Sequence, residues 1–140
     1  LLIIIDSNEY IFAFGPSKES NALHLLDRIV KEISGHSARI PRTIFEEVKR
    51  NLSPEAFLEF NSFINAITAI DEDIVVPFEI VFQYEAKGLK PADAFIAAYT
   101  EWTGADILVT ENRHFLSKQQ NLPFKVLTAE KCLKLIIKTS

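Results

Sequence analysis

Four consecutive aliphatic residues, Leu2-Ile3-Ile4-Ile5, run without a polar break into Asp6. A strand with one wet face alternates apolar and polar side chains, whereas an unbroken β-branched run fits a strand covered on both faces, as in a parallel sheet. Ile107-Leu108-Val109 repeats the pattern far along the chain. A parallel neighbour needs a crossover, and the residues between these runs supply helical periods for one. Leu23, Leu26, Ile29, Val30 and Ile33 recur at helical spacing, with Ser20 as N-cap and Gly35 as stop.

Ala38 to Ile40 reads as a short strand, after which Pro41 introduces a helix carrying Glu46 and Glu47. Ser53-Pro54 opens the next helix, with Phe57, Phe60, Ile64 and Ile67 as its apolar stripe. Asp71 to Asp73 reads as a solvated turn. Pro77 restarts a helix through Phe78, Val81, Phe82 and Glu85 that stops at Gly88, and Pro91 begins another that stops at Gly104. A short strand over Lys125 to Leu127 precedes a final helix capped by Thr128. The alternation predicts one domain over residues 1–140, a three-layer α/β/α fold around a central, mostly parallel sheet.

Composition narrows the function classes. The net charge of −4 argues against broad, non-specific adhesion to nucleic acid, although an acidic active site is itself part of that count. No apolar run approaches the roughly 18 residues of a membrane helix, and the N-terminal run is too short for a signal peptide. Cys132, the sole cysteine, has no internal partner and sits among Leu133, Leu135 and Ile136, which predicts a buried thiol. These features lead to the expectation of a soluble, cytoplasmic protein with no membrane partner.

The carboxylates carry the chemical signal. In open parallel sheets the binding crevice lies beyond the carboxyl ends of the strands. Asp6, the first residue after a buried strand, either faces that crevice or caps a short helix near Glu9. Glu46 and Glu47 point about 100° apart on a helix, so they cannot serve one site equally. Thr43-Ile44-Phe45-Glu46 matches a capping box, which gives Glu46 a structural task and leaves Glu47 free. Asp93 stands in the first turn of a small, apolar helix, where the helix dipole alone favours an acid. Its apolar surroundings also fit one polar group directed at a ligand.

Together these segments resemble the PIN-domain family, whose members include nuclease toxins of toxin–antitoxin pairs, over nearly the whole chain. Ile3-Ile4-Ile5-Asp6-Ser7-Asn8 is similar to the family's opening strand with its Asp and nearby Asn. Ile40-Pro41-Arg42-Thr43-Ile44-Phe45-Glu46-Glu47-Val48 resembles the second motif, in which the Glu before an aliphatic residue, here Glu47, is the ligand. Lys90-Pro91-Ala92-Asp93-Ala94 resembles the third motif, and Ala105 to Phe115 the fourth. The family often places Asp where Asn112 stands; an amide brings no negative charge, and Glu111 is the neighbour able to supply it. Asp106 precedes its strand and belongs to the opposite end.

The resemblance implies an Mg²⁺- or Mn²⁺-dependent ribonuclease, with Asp6, Glu47 and Asp93 as metal ligands, Asn112 completing the catalytic set and Asn8 supporting Asp6. Hard divalent cations and carboxylate oxygens suit each other, and such ions assist phosphodiester hydrolysis. The implied partners are RNA, an antitoxin protein and a second copy of the chain; core packing is the first expectation for the Phe-rich helix Phe57 to Ile67, and its remaining aromatic surface offers a dimer or antitoxin face. Arg113, His114 and Lys90 are candidates to meet substrate phosphate; His24 and His36 receive no role. Phosphatases of the haloacid-dehalogenase kind want a second Asp where Asn8 stands, and response-regulator receivers want an acidic pair that Leu1 to Ile5 lacks. The alternative of a different kind is a catalytically degenerate PIN-like domain that binds RNA or protein.

Overall fold

A computed structural model describes residues 1–17, 20–32, 35–117 and 121–139 and sets the two apolar runs side by side. The strands are β1 (Leu2–Ile5), β2 (Ser37–Pro41), β3 (Ile70–Asp71), β4 (Ile107–Val109) and β5 (Lys125–Leu127). They form one parallel sheet in the order β3-β2-β1-β4-β5, with helices on both faces, so the three-layer α/β/α architecture is that of the expectation. Ile3, Ile4 and Ile5 are fully buried at its centre. Each contributes about 1.5–3 kcal/mol by leaving water.

The helices are α1 (Ser7–Phe14), α2 (Ser20–Lys31), α3 (Arg42–Arg50), α4 (Pro54–Ile67), α5 (Phe78–Ala86), α6 (Pro91–Thr103), α7 (Arg113–Ser117) and α8 (Ala129–Thr139). Ser53 caps α4 through Ala56 N, Gly104 ends α6 in the left-handed region at φ 74°, and Thr128 caps α8 through Lys131 N. In α2 the buried face is Ala22, Leu25, Leu26 and Ile29, while Val30 turns outward. Ile33 and the Ser20 side chain lie outside the described residues. Cys132 is buried, and burial together with the nearby Glu9 charge pushes its thiol up to about 12.

Two local expectations fail for physical reasons, and a third, core packing of the α4 rings, holds. Asp71 to Asp73 is not a solvated turn: Ile70 pairs with Ile40 to add β3, and the three acids then bond back to β2, α3 and α6. The capping box on Thr43 and Glu46 does not form, because β2 runs directly into α3 and puts Thr43 inside the first turn. Asp73 Oδ1 accepts from Thr43 N at 3.0 Å instead, and Glu46 lies 3.7 Å from Arg42. The rings of α4 are used in the core: Phe57, Phe60 and Phe63 pack edge-on or tilted against Tyr10, Phe14 and Phe45. Exposed apolar surface lies on Leu58 of α4 and on Ile74, Phe78 and Phe82.

Asp71 is the centre of the tie at this sheet edge. Its carboxylate accepts two bonds from the Arg39 guanidinium at 3.0 Å and one from the Tyr99 hydroxyl at 2.6 Å. Arg39 also lies over the Trp102 ring at 5.3 Å. Burial pushes the Asp71 carboxyl up, but the Arg39 and Tyr99 bonds and the Arg39 charge outweigh it and hold the group below the usual carboxylate range.

Candidate active site

The parallel register places the ends of β1 and β4 together, Ile5 opposite Val109. Asp6 and Thr110 are therefore the first residues beyond the two central strands, and Asp6 N donates to Val109 O at 2.9 Å. Asp6 satisfies both sequence-based readings. As N-cap of α1 it accepts from Ser7 N through Oδ1 at 2.8 Å, and through Oδ2 it accepts from the Thr110 hydroxyl at 2.8 Å. Thr110 Oγ1 accepts from Asn112 N at 3.0 Å, and Asn112 Nδ2 donates to Asp93 Oδ1 at 3.5 Å. A continuous chain of contacts thus joins Asp6, Thr110, Asn112 and Asp93, drawn from β1, the β4 end and α6.

Glu47 is exposed on α3, and its carbonyl accepts from the Asn51 amide. Its carboxylate is near enough to act on Asp6 through charge. Burial raises the Asp6 carboxyl above its ordinary value, the Thr110 and Ser7 bonds pull it down, and the charges of Glu47 and Asp93 push it up further, leaving it raised. Desolvation and like charges both disfavour an anion, so this is an electrostatically crowded place. Among the described residues no three His, Cys, Asp or Glu side chains are gathered closely enough to hold one ion. The donor chemistry of Asp6, Glu47 and Asp93 nevertheless suits a hard divalent cation.

Several neighbours serve other tasks. Asn112 Oδ1 accepts from His114 N at 2.9 Å and so caps α7, which leaves its amide NH₂ for Asp93. Glu111 is turned away: its Oε2 accepts from Ala129 N at 3.0 Å at the start of α8. It is therefore a helix cap and not a substitute for the missing fourth acid. Glu111→Ala should lower stability by about 1 kcal/mol, as loss of a capping side chain does. Urea unfolding measures that loss, and a destabilisation indistinguishable from zero would remove the cap assignment.

Asn8 is exposed, and Ser7 makes the supporting bond to Asp6. Asp106 accepts from Leu2 N at the opposite end of the sheet, as its sequence position implied. His36 is buried 3.6 Å from Glu32, and His24 is exposed. Lys90, Arg113 and His114 are exposed at the starts of α6 and α7. Thr110 was missed by sequence reasoning, although it follows a buried strand just as Asp6 does; pairing the two apolar runs in register would have found it.

A hollow of about 500 Å³ opens beside this centre, with Glu9, Phe12, Asn21, Glu111 and Glu130 on its wall. None of Asp6, Glu47, Asp93 or Asn112 lines it, so this hollow and the carboxylates are separate features.

No family model matches the chain, and no curated protein matches it. Among solved structures it is similar to a chain in the crystal structure of VapBC2 from Rickettsia felis bound to a DNA fragment from their promoter, at 16% identity and a TM-score of 0.62. The match covers 90% of this chain and 98% of that one. At this identity the shared property is the α/β fold.

Proposed function

We propose that this chain is a metal-dependent endoribonuclease that hydrolyses RNA phosphodiester bonds, and the toxin of a toxin–antitoxin pair. The observation that carries the reading is the contact chain Asp6–Thr110–Asn112–Asp93 at the carboxyl ends of the central strands, with the Glu47 charge acting on it. The fold shared with the VapBC2 chain and the resemblance to PIN-domain toxins support the placement in a toxin–antitoxin pair, with an antitoxin as protein partner.

Asp6, Glu47 and Asp93 would hold Mg²⁺ or Mn²⁺. A bound dication supplies Lewis acidity and neutralises charge on a phosphodiester. The chain's own residues do the rest. The Thr110 hydroxyl and Ser7 N–H fix the Asp6 carboxylate at both oxygens. Asn112 orients Asp93 through its amide while its oxygen anchors α7. Glu47, exposed on α3, has the freedom to turn inward as the third carboxylate. Lys90 and Arg113, next to these positions, offer cations to the phosphate backbone of a substrate.

One observation favours the second reading, a degenerate binding module: Asn112 brings no charge, and its oxygen is occupied by His114 N. A Mn²⁺ titration separates the two. A cation that binds only the folded state at ten times its Kd stabilises by about 1.4 kcal/mol, or about 5 °C in Tm for a chain of this size. The nuclease reading expects that rise, matched by cleavage of a labelled oligoribonucleotide in Mn²⁺ and none in EDTA. A flat Tm with no cleavage selects the binding module.

A further inference from the structure

β5 is an edge strand, bonded to β4 on one side among the described residues. Two hollows of about 350 and 260 Å³ meet along it, sharing Lys125 and Leu135. The second has Leu127 and Leu135 as its floor and Lys125, Lys131, Lys134 and Lys138 as its rim. The α8 members fall at i, i+3, i+4 and i+7 on one face, while Cys132 and Ile136 are buried on another. Four cations on one groove stand out in a chain of net charge −4. The Lys134 pair with Glu130, at 3.4 Å between exposed side chains, does little to quench them.

We infer that this groove is a docking surface for an acidic, extended protein segment that adds as a strand to the edge of β5 away from β4. Backbone bonding at an open sheet edge provides attachment, and alternate side chains provide selection. A strand alternating apolar and acidic residues points the two kinds to opposite faces of the sheet, so that its acidic set turns toward α8 and meets the lysine rim around Leu127 and Leu135. A lysine on an edge strand by itself only guards that edge against pairing. Here three of the four lysines come from α8 and converge on an apolar floor, which a guard does not need.

The surroundings disfavour a nucleic acid strand. Among the described residues no aromatic ring lines the 260 Å³ hollow, and Phe124, which lines the adjoining one, is buried and offers bases no face to stack on. Two acids, Glu111 and Glu130, also stand at the start of α8, where Glu111 accepts from Ala129 N, and their charge repels a phosphate backbone.

The test is fluorescence anisotropy of the full chain with a labelled peptide alternating glutamate and valine. A lysine–valine peptide and a labelled oligouridine serve as comparisons. The acidic peptide is expected to bind, more weakly as salt rises. Lys131→Glu combined with Lys138→Glu should weaken it by about tenfold or more, since each reversal sets like charges face to face. Both positions are exposed, and the melting curve of the variant checks its fold. Methylating alternate backbone nitrogens of the peptide should weaken binding as well, because strand addition needs those N–H groups.

Equal binding of both peptides, undiminished binding to the variant, or equal binding of the methylated peptide would each overturn the inference. So would an oligouridine that binds through these lysines while the acidic peptide does not. No readout here uses metal or cleavage, so failure leaves the nuclease reading standing.

Discussion

Asp6→Asn and Asp93→Asn should each lower Mn²⁺-dependent cleavage of an oligoribonucleotide by about two to three orders of magnitude, the usual scale for losing a preorganised electrostatic group. The fold should survive both changes. Each swap keeps the side-chain volume, and an amide oxygen at position 6 still accepts from Ser7 N. Because Asp6 is half-buried near two other anions, removing its charge relieves crowding in the metal-free protein. The signature is therefore specific: activity falls, the metal-free Tm holds or rises, and the Mn²⁺-induced shift shrinks. Glu47→Gln should follow the same pattern, whereas Glu46→Gln, which loses only the Arg42 contact, should cleave normally. Near-normal cleavage by the Asp6 and Asp93 variants would remove the catalytic assignment.

The largest expected loss of stability lies elsewhere, at Asp71. Asp71→Asn leaves the Arg39 guanidinium with one neutral acceptor and disturbs the Tyr99 hydroxyl, in a partly buried setting. We expect a cost of about 2–3 kcal/mol, below the full penalty of breaking a deeply buried pair because Arg39 remains partly hydrated. Tyr99→Phe, which deletes one bond, should cost about 1 kcal/mol. The pH dependence has a definite sign. The folded carboxyl is held below its unfolded value, so its contribution is full above the unfolded pKa of about 4 and is lost as pH falls through the lower folded pKa. Asp71→Asn should accordingly flatten the acid limb of the stability curve. Urea unfolding between neutral and acidic pH measures both effects, and an unchanged acid limb would show that Asp71 is not the group responsible.

What was legible in the sequence followed from patterns that a chain carries locally. The β-branched runs gave β1 and β4, and the abrupt change from Ile5 to Asp6 marked the strand end where the crevice begins. β3 was hidden because its two residues, Ile70 and Asp71, become a strand only by pairing with Ile40 and Pro41. Pro41 does introduce α3, but the capping box on Thr43 was misread for a similar reason: a capping box can be read locally, whereas where β2 hands over to the helix is set by the sheet. Glu111 and Asn112 are adjacent acid and amide in the sequence, and only the position of α8 sends one to a helix end and the other to Asp93. Thr110 needed a register between two strands before its hydroxyl could be assigned to Asp6.

The bond from Thr110 to Asp6 spans 104 residues of sequence, and so does the bond from Leu2 to Asp106 at the other end of the same strand pair. At a synthesis rate of 5–20 residues per second, roughly 5–20 s separate the making of β1 from the making of its partner. Throughout that interval β1, the most aliphatic strand in the chain, has β2 available on one edge and nothing on the other. Such an edge invites mispairing with other chains, and this topology makes early folding its most hazardous phase. The same delay means that Asp6 lacks Asp93 until α6 is made and lacks Thr110 until β4 follows it. On the proposed reading, a growing chain carries no complete nuclease centre until β4 and Thr110 have been made.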